Sequence, residues 1–250
     1  MSVKNTLLSL TLGLVATLAH PQQKGDIAYL EIVHVKPGTE EQFEATLKRH
    51  WGWHTKMGEQ WSYLVWTIDS GKNEGAYQIS SFGHTWDEVD ASNSLLVGTP
   101  APEENPEPFH LSVQESYYRY RADLSAASPI TEPLPVATVT HILVKPGAVP
   151  AFEKALQEIN QTVLKSGHPL EVQSRWYELV TGGEWPQFLL IEDRPNWASF
   201  RSSGQLEAIV RDALGKPAGE EIRATFWRSI ESVYVETMRY QPDLSRLHAR

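Results

Sequence analysis

The sequence predicts an α+β fold: two tandem ferredoxin-like β-α-β-β-α-β units, packed sheet to sheet so that they close into one barrel within a single chain. Three observations carry this. Val35-Lys36-Pro37-Gly38 with Phe43 recurs as Val144-Lys145-Pro146-Gly147 with Phe152, at a constant offset of 109 positions. Arg119-Tyr120 followed by Asp123-Leu124-Ser125 recurs as Arg239-Tyr240 followed by Asp243-Leu244-Ser245. Trp86 and Trp197 both follow a predicted third strand. Motifs repeated at both ends of stretches of roughly 110 residues imply duplication of a unit of ordinary domain size.

In each unit a Lys-Pro-Gly turn converts a strand into a helix. Residues 27–35 are rich in β-branched and aromatic residues and too few for a buried helix. Proline fixes φ and lacks an N–H, so Pro37 ends the ladder and Gly38 permits the sharp exit. Thr39 with Gln42 three residues on fits a capping box, and Glu40 and Glu41 suit the positive helix N-terminus. This helix runs to about Met57. Strands follow at 60–67 and 76–82, with the turn-rich 69–75 between them. Thr85 can cap a helix holding Trp86, Val89 and Leu95. Four prolines and three glutamates make 100–108 an irregular surface loop, and 111–121 closes the unit as a strand. The second unit repeats the order: strand 136–144, helix 150–165, strands 170–180 and 187–192, a helix from about Asn196, an amphipathic stretch 220–230 and a strand 231–240. The domains are therefore 26–125 and 136–245, joined by a linker at 126–135.

Residues 1–19 have the form of a secretory signal: Lys4, an apolar run from Leu7 to Leu18, then Ala19. That run is too short to cross a bilayer, which takes about 20 apolar residues. The expected mature protein is exported, periplasmic or extracellular, with no membrane span. Losing Lys4 takes the net charge from −9 to −10, which argues against nucleic acid and anionic membranes as partners. With no cysteine, the chain has neither disulfides nor thiol chemistry. It contains no Gly-rich phosphate loop and no Gly-x-Ser-x-Gly, which sets aside nucleotide-dependent and most acyl-transfer chemistry.

The strand, Lys-Pro-Gly and helix succession with Phe43 or Phe152 resembles the dimeric α/β-barrel superfamily. Within it the chain is most similar to antibiotic-biosynthesis-monooxygenase-like and NIPSNAP-like domains, over roughly 26–245. The resemblance implies a barrel and a small-molecule ligand between helix and sheet. It does not fix the activity, because this superfold hosts cofactor-free oxygenases, haem-degrading enzymes, isomerases and non-enzymes. Haem-degrading members carry Asn on strand one, Trp ending strand three and His on helix two. The matching places here hold Glu31, Phe82 and Asp87, which disfavours that activity. Chlorite-dismutase-like members hold haem through a helical His of the second repeat, where this chain offers only His141 on a strand and His168 in a loop. Cofactor-free monooxygenases surround a phenolic substrate with aromatics, and Trp51, Trp53, Trp61, Trp66 and Tyr63 would suit one.

Overlaying the two first helices at the same offset matches Phe43, Leu47, His50 and His54 with Phe152, Leu156, Ile159 and Val163. These positions share one helical face, the one that packs on the sheet. One unit fills it with aliphatics; the other places two imidazoles there, flanked by Trp51 and Trp53. Buried imidazoles without partners cost about 1–3 kcal/mol each, so something must satisfy them. His50 and His54 are thus the candidate catalytic pair and candidate metal ligands, with Trp51, Trp53, Tyr63, His84, Glu31 and His34 as pocket candidates. His-Trp-Gly-Trp-His lacks the glutamate of a zincin motif, so a third ligand would come from Glu31, His34 or His84. The cofactor is open: none, a metal or haem. The alternative is structural, both histidines being bonded to Glu31, tyrosines or water in a non-catalytic binding or assembly module. Self-association into a homo-oligomer is compatible with either.

Overall fold

The computed structural model describes residues 25–125, 130, 133–166, 173–202, 212 and 215–248. The proposed leader, most of the linker, His168 and the Leu206, Ile209 and Val210 part of a predicted helix lie outside the described residues. The elements are β1 (Ile27–Val35), α1 (Glu40–Lys56), β2 (Leu64–Ser70), β3 (Tyr77–His84), α2 (Trp86–Leu95) and β4 (His110–Tyr120). Then come β5 (Val136–Val144), α3 (Val149–Ser166), β6 (Gln173–Thr181), β7 (Gln187–Arg194), α4 (Lys216–Ser229) and β8 (Ile230–Tyr240). Among the described residues no helix is long and apolar enough to cross a membrane.

The strands form one closed antiparallel barrel in the order β1-β3-β2-β8-β5-β7-β6-β4. The two halves meet edge to edge, β2 pairing with β8 and β4 with β6, rather than face against face. Closure leaves no unpaired strand edge. Strand alternation then sorts the side chains. Ala28, Leu30 and Trp66 point inward and meet Val139, Leu189 and Met238 from the other half. Outside, Phe43, Leu47 and Trp51 of α1 cover Val33, Val65 and Ile79, while Phe152 and Leu156 of α3 cover Ile142, Val144 and Phe188.

Gly38 and Gly147 both sit at positive φ, 80° and 81°, which a β-carbon would strain at this strand-to-helix turn. The expected capping box at Thr39 is not formed. The Thr39 hydroxyl donates instead to the Lys36 carbonyl at 2.8 Å, inside the turn. A capping box forms at Thr85 with Glu88.

The halves differ after their third strand. In the second, α4 packs beside α3, with the Phe226 ring stacked 5.1 Å from Phe152. In the first, the proline-rich stretch forms two short 3-10 turns, Pro102–Glu104 and Glu107–Phe109, strapped over α1. Arg49 Nε donates to the Glu103 carbonyl at 2.5 Å, and Lys36 Nζ to the Pro108 carbonyl at 2.6 Å.

The repeated Asp-Leu-Ser motif also has a structural role. Leu124, closing the first half, is buried in the second half's core, and Leu244, closing the second, in the first half's core. Ser125 Oγ accepts from the Trp176 backbone N–H at 2.8 Å, and Ser245 Oγ from the Val65 N–H at 2.9 Å. Each half therefore clasps the other with its last residues.

Candidate functional site

Helical spacing sets the first half's site. His54 follows Phe43 and Leu47 on the buried face of α1 and is 6% exposed, whereas His50, one turn earlier, is half-buried at the rim. Their Nε2 atoms are 3.1 Å apart. His50 Nδ1 lies 2.9 Å from the Glu104 carbonyl of the strap, and His54 Nδ1 lies 3.4 Å from Glu59 Oε2. A carbonyl and a carboxylate can only accept, so both Nδ1 atoms carry hydrogen, and one further hydrogen bridges the rings. The hydrogen-bond partners thus assign three protons to four nitrogens, one more than two neutral imidazoles hold. Burial, then the neighbouring His54, lowers the His50 pKa to about 4, so His50 is disfavoured as the cationic ring.

Glu59 balances that charge. It is 1% exposed and follows the C-terminal turn of α1, where Gly58 has φ 82°. Its Oε2 also accepts from Arg246 Nη1, while Oε1 accepts from the Tyr63 and Ser92 hydroxyls at 3.1 and 3.4 Å. Burial works to raise its pKa, but the bonds from His54 and Arg246 outweigh this and hold the carboxyl below its ordinary value. Burial and then Glu59 push Tyr63 well above its ordinary value, so it is a phenol donor only. Rings enclose the pair: Trp53 stacks on His50 at 5.3 Å, Trp51 stacks on Tyr63 at 4.9 Å, and His54 meets Trp51 edge-on at 5.4 Å.

The structure brings together His50, His54, Trp51, Trp53 and Tyr63 of the sequence-derived candidates. His84 stands to one side. Its ring stacks on Trp61 at 3.6 Å, and its Nε2 donates to Ser81 Oγ at 2.7 Å, whose own hydrogen goes to the Ser62 carbonyl. Burial lowers its pKa to about 4. Glu31 belongs to another cluster on the outer face of β1. It accepts from the Tyr29 hydroxyl at 3.1 Å and lies across from Glu115 on β4. Burial, then Glu115, pushes its pKa up to about 7. Strand alternation puts His34 on the opposite, inward face of β1, 3.2 Å from Asn73 Oδ1, away from the imidazole pair. The partners expected for the histidines, Glu31 and tyrosines, are replaced by Glu59 and the Glu104 carbonyl. Sequence reasoning missed Glu59, Glu104 and Arg246. The available signal was Arg246 beside the repeated Asp-Leu-Ser motif.

The donor set does not fit a metal or haem iron. The Nε2 atoms point at each other, both Nδ1 atoms are taken, and Glu31, His34 and His84 bond elsewhere. Among the described residues no three His, Asp or Glu side chains are grouped to hold a metal ion.

No family profile and no curated protein matches the chain. Solved structures do. A candidate monooxygenase from Lactobacillus acidophilus NCFM superposes with TM-score 0.54 at 11% identity, covering 90% of this chain and 98% of that one. An anthrone oxidase-like protein gives 0.52 at 10% identity, covering 92% and 95%. A chlorite dismutase variant from Candidatus Nitrospira defluvii gives 0.51 at 10% identity, covering 88% and 93%. At such identities the likeness concerns the fold alone: the chain shares with these structures an antiparallel, ferredoxin-like α+β fold.

Proposed function

We propose that the protein binds a small, largely apolar or aromatic molecule between α1 and the sheet of its first half, and that His50 and His54 exchange a proton with it in a monooxygenase-type reaction. One observation carries this. An imidazole pair, His54 buried and His50 at the rim, bonded ring to ring at 3.1 Å and backed by Glu59, stands where α3 carries Ile159 and Val163. The fold likeness to a candidate monooxygenase and an anthrone oxidase-like protein agrees with it.

The arrangement suits a relay. A ligand oxygen, carbonyl or phenolate, takes the place of the Glu104 carbonyl beside His50 Nδ1 and receives that proton. The bridging proton passes from His54 Nε2 to His50 Nε2, and the pair becomes neutral while Glu59 keeps its bond to His54. Run backwards, the neutral pair removes a proton from a phenol. Trp51 and Trp53 supply aromatic surface for the ligand's ring. We further propose that the halves, 26–125 and 136–245, are NIPSNAP-like copies of one unit, that residues 1–19 export the chain, and that it self-associates.

A second reading, a non-catalytic binding or assembly module, is favoured by one observation: all four ring nitrogens already have protein partners. Binding of anthrone and 1-naphthol, followed by tryptophan fluorescence, and oxygen consumption with each separate the two readings. Saturable binding with oxygen uptake that His50→Leu abolishes supports the first. Binding without turnover supports the second, and no binding by either compound refutes the ligand site. Metal analysis and an absorption spectrum of the purified protein are expected to show neither stoichiometric metal nor a Soret band.

A further inference from the structure

We infer that the C-terminal arm, residues 241–248, completes the first half's imidazole site, with Arg246 a positioning residue that governs how tightly the His50–His54 pair keeps its extra proton. The inference rests on the reading of that pair as the proton-exchanging group. Leaving β8, the arm forms a 3-10 turn at Pro242–Leu244 and crosses to the first half. There Trp51 Nε1 donates to the Leu244 carbonyl at 2.6 Å. Arg246 and Tyr63 exchange backbone hydrogen bonds at 2.7 and 2.9 Å.

Arg246 is 9% exposed, and its guanidinium makes three hydrogen bonds. Nη2 donates to the Glu59 carbonyl at 2.5 Å, and Nη1 to the Trp61 carbonyl at 3.0 Å and to Glu59 Oε2. That same Oε2 faces His54 Nδ1, so the guanidinium and the imidazole share one buried carboxylate oxygen. A buried cation so close to His54 opposes the pair's extra proton, while Glu59 favours it. The other charged groups facing the pair are Glu104 and Glu107 on the strap, with Lys56 bonded to Glu104 at 2.5 Å; Tyr63 faces it from the sheet as a neutral phenol.

The first half's own arm shows that clasping needs no such arrangement. Leu124 and Ser125 clasp the second half equivalently, but Arg121 there bonds Asp123, Glu153 and Glu178 and touches no histidine. The Arg246–Glu59–His54 chain is therefore an addition to the clasp.

Histidine-labelled NMR of the full chain across pH tests this without any ligand. Arg246→Met is expected to move the pair's titration up by about one pH unit, and Glu59→Gln to move it down by a similar amount. Arg246→Lys restores the native midpoint, and Arg121→Met leaves it unchanged. A merely structural arm would give shifts of one sign in both variants. That outcome, or no shift in Arg246→Met while the Trp51 indole N–H resonance stays in its native position, overturns the inference. Should Arg246→Met not fold, Arg246→Gln, which keeps donors toward both carbonyls, carries the same expectation. Failure of the ligand reading would leave these shifts intact, and absence of the shifts would leave ligand binding untouched.

Discussion

α1 and α3 begin alike and end differently. Both leave a Lys-Pro-Gly turn, and both bury a phenylalanine, Phe43 or Phe152, completely against the sheet. Two turns later α3 continues with aliphatics and is flanked by α4, whereas α1 turns to histidine and is flanked by a strap. Prolines at 100, 102, 106 and 108 explain the strap, since one proline inside a helix costs about 3 kcal/mol. Where α4 offers Phe226, the strap offers a backbone carbonyl, and only the latter can satisfy an imidazole. One half has kept a core and the other has spent part of its core on a polar chain.

The largest expected effect tests the equivalence itself. Phe43→Ala and Phe152→Ala should each cost about 3–5 kcal/mol in chemical denaturation. A cost below about 1 kcal/mol for one of them would break the pairing of the halves. Next, Glu59→Leu leaves the buried Arg246 guanidinium without its counter-charge and His54 without its acceptor, and should cost about 3 kcal/mol. The second half's buried carboxylates, Asp193 with Arg175 and Glu236 with His141, each face one such partner rather than two.

pH separates the halves more gently. His50 and His84, both held at about 4, stay neutral in the fold but gain protons on unfolding below about 6.5. Their contribution is complete above the unfolded value and is lost as pH falls toward 4. Glu31 acts in the opposite sense: with its pKa at about 7 against 4.5, its penalty grows as pH rises between those values. Replacing His50 with Ile should therefore shrink the stability lost between pH 7 and pH 4.5 by on the order of 2 kcal/mol. Glu31→Gln should gain on the native protein over the same rise in pH. Denaturant titrations at the two pH values give both differences. The smallest effect is at Gly52, where an added β-carbon meets nothing within 4 Å. Gly52→Ala should raise stability by up to about 1 kcal/mol.

Much of this contrast is legible in the sequence, because turn chemistry and periodicity are local. Pro37, Gly38 and the spacing of Phe43, Leu47 and His54 fix where a strand ends and which helical face is buried. A barrel is expected from one sheet covering the other; its closure by edge pairing, β2 with β8 and β4 with β6, was not legible. The partners of the imidazoles were not legible. Glu59 lies just past the helix, Glu104 contributes only a carbonyl, and Arg246 arrives from the far end of the chain. Contacts across such separations are made by the closed barrel and leave no periodic trace. His34 shows the other limit: it is near the pair in sequence, but alternation along β1 sends it to the inside of the barrel.

The most direct test makes α1 like α3. The double variant His50→Ile, His54→Val gives the first half the second half's residues while keeping Glu59 paired with Arg246. If the imidazole pair is the site, the variant retains a native circular dichroism spectrum and binds anthrone and 1-naphthol at least about tenfold more weakly, a loss of roughly 1.4 kcal/mol. Unchanged affinity for both compounds in a folded variant would contradict the account.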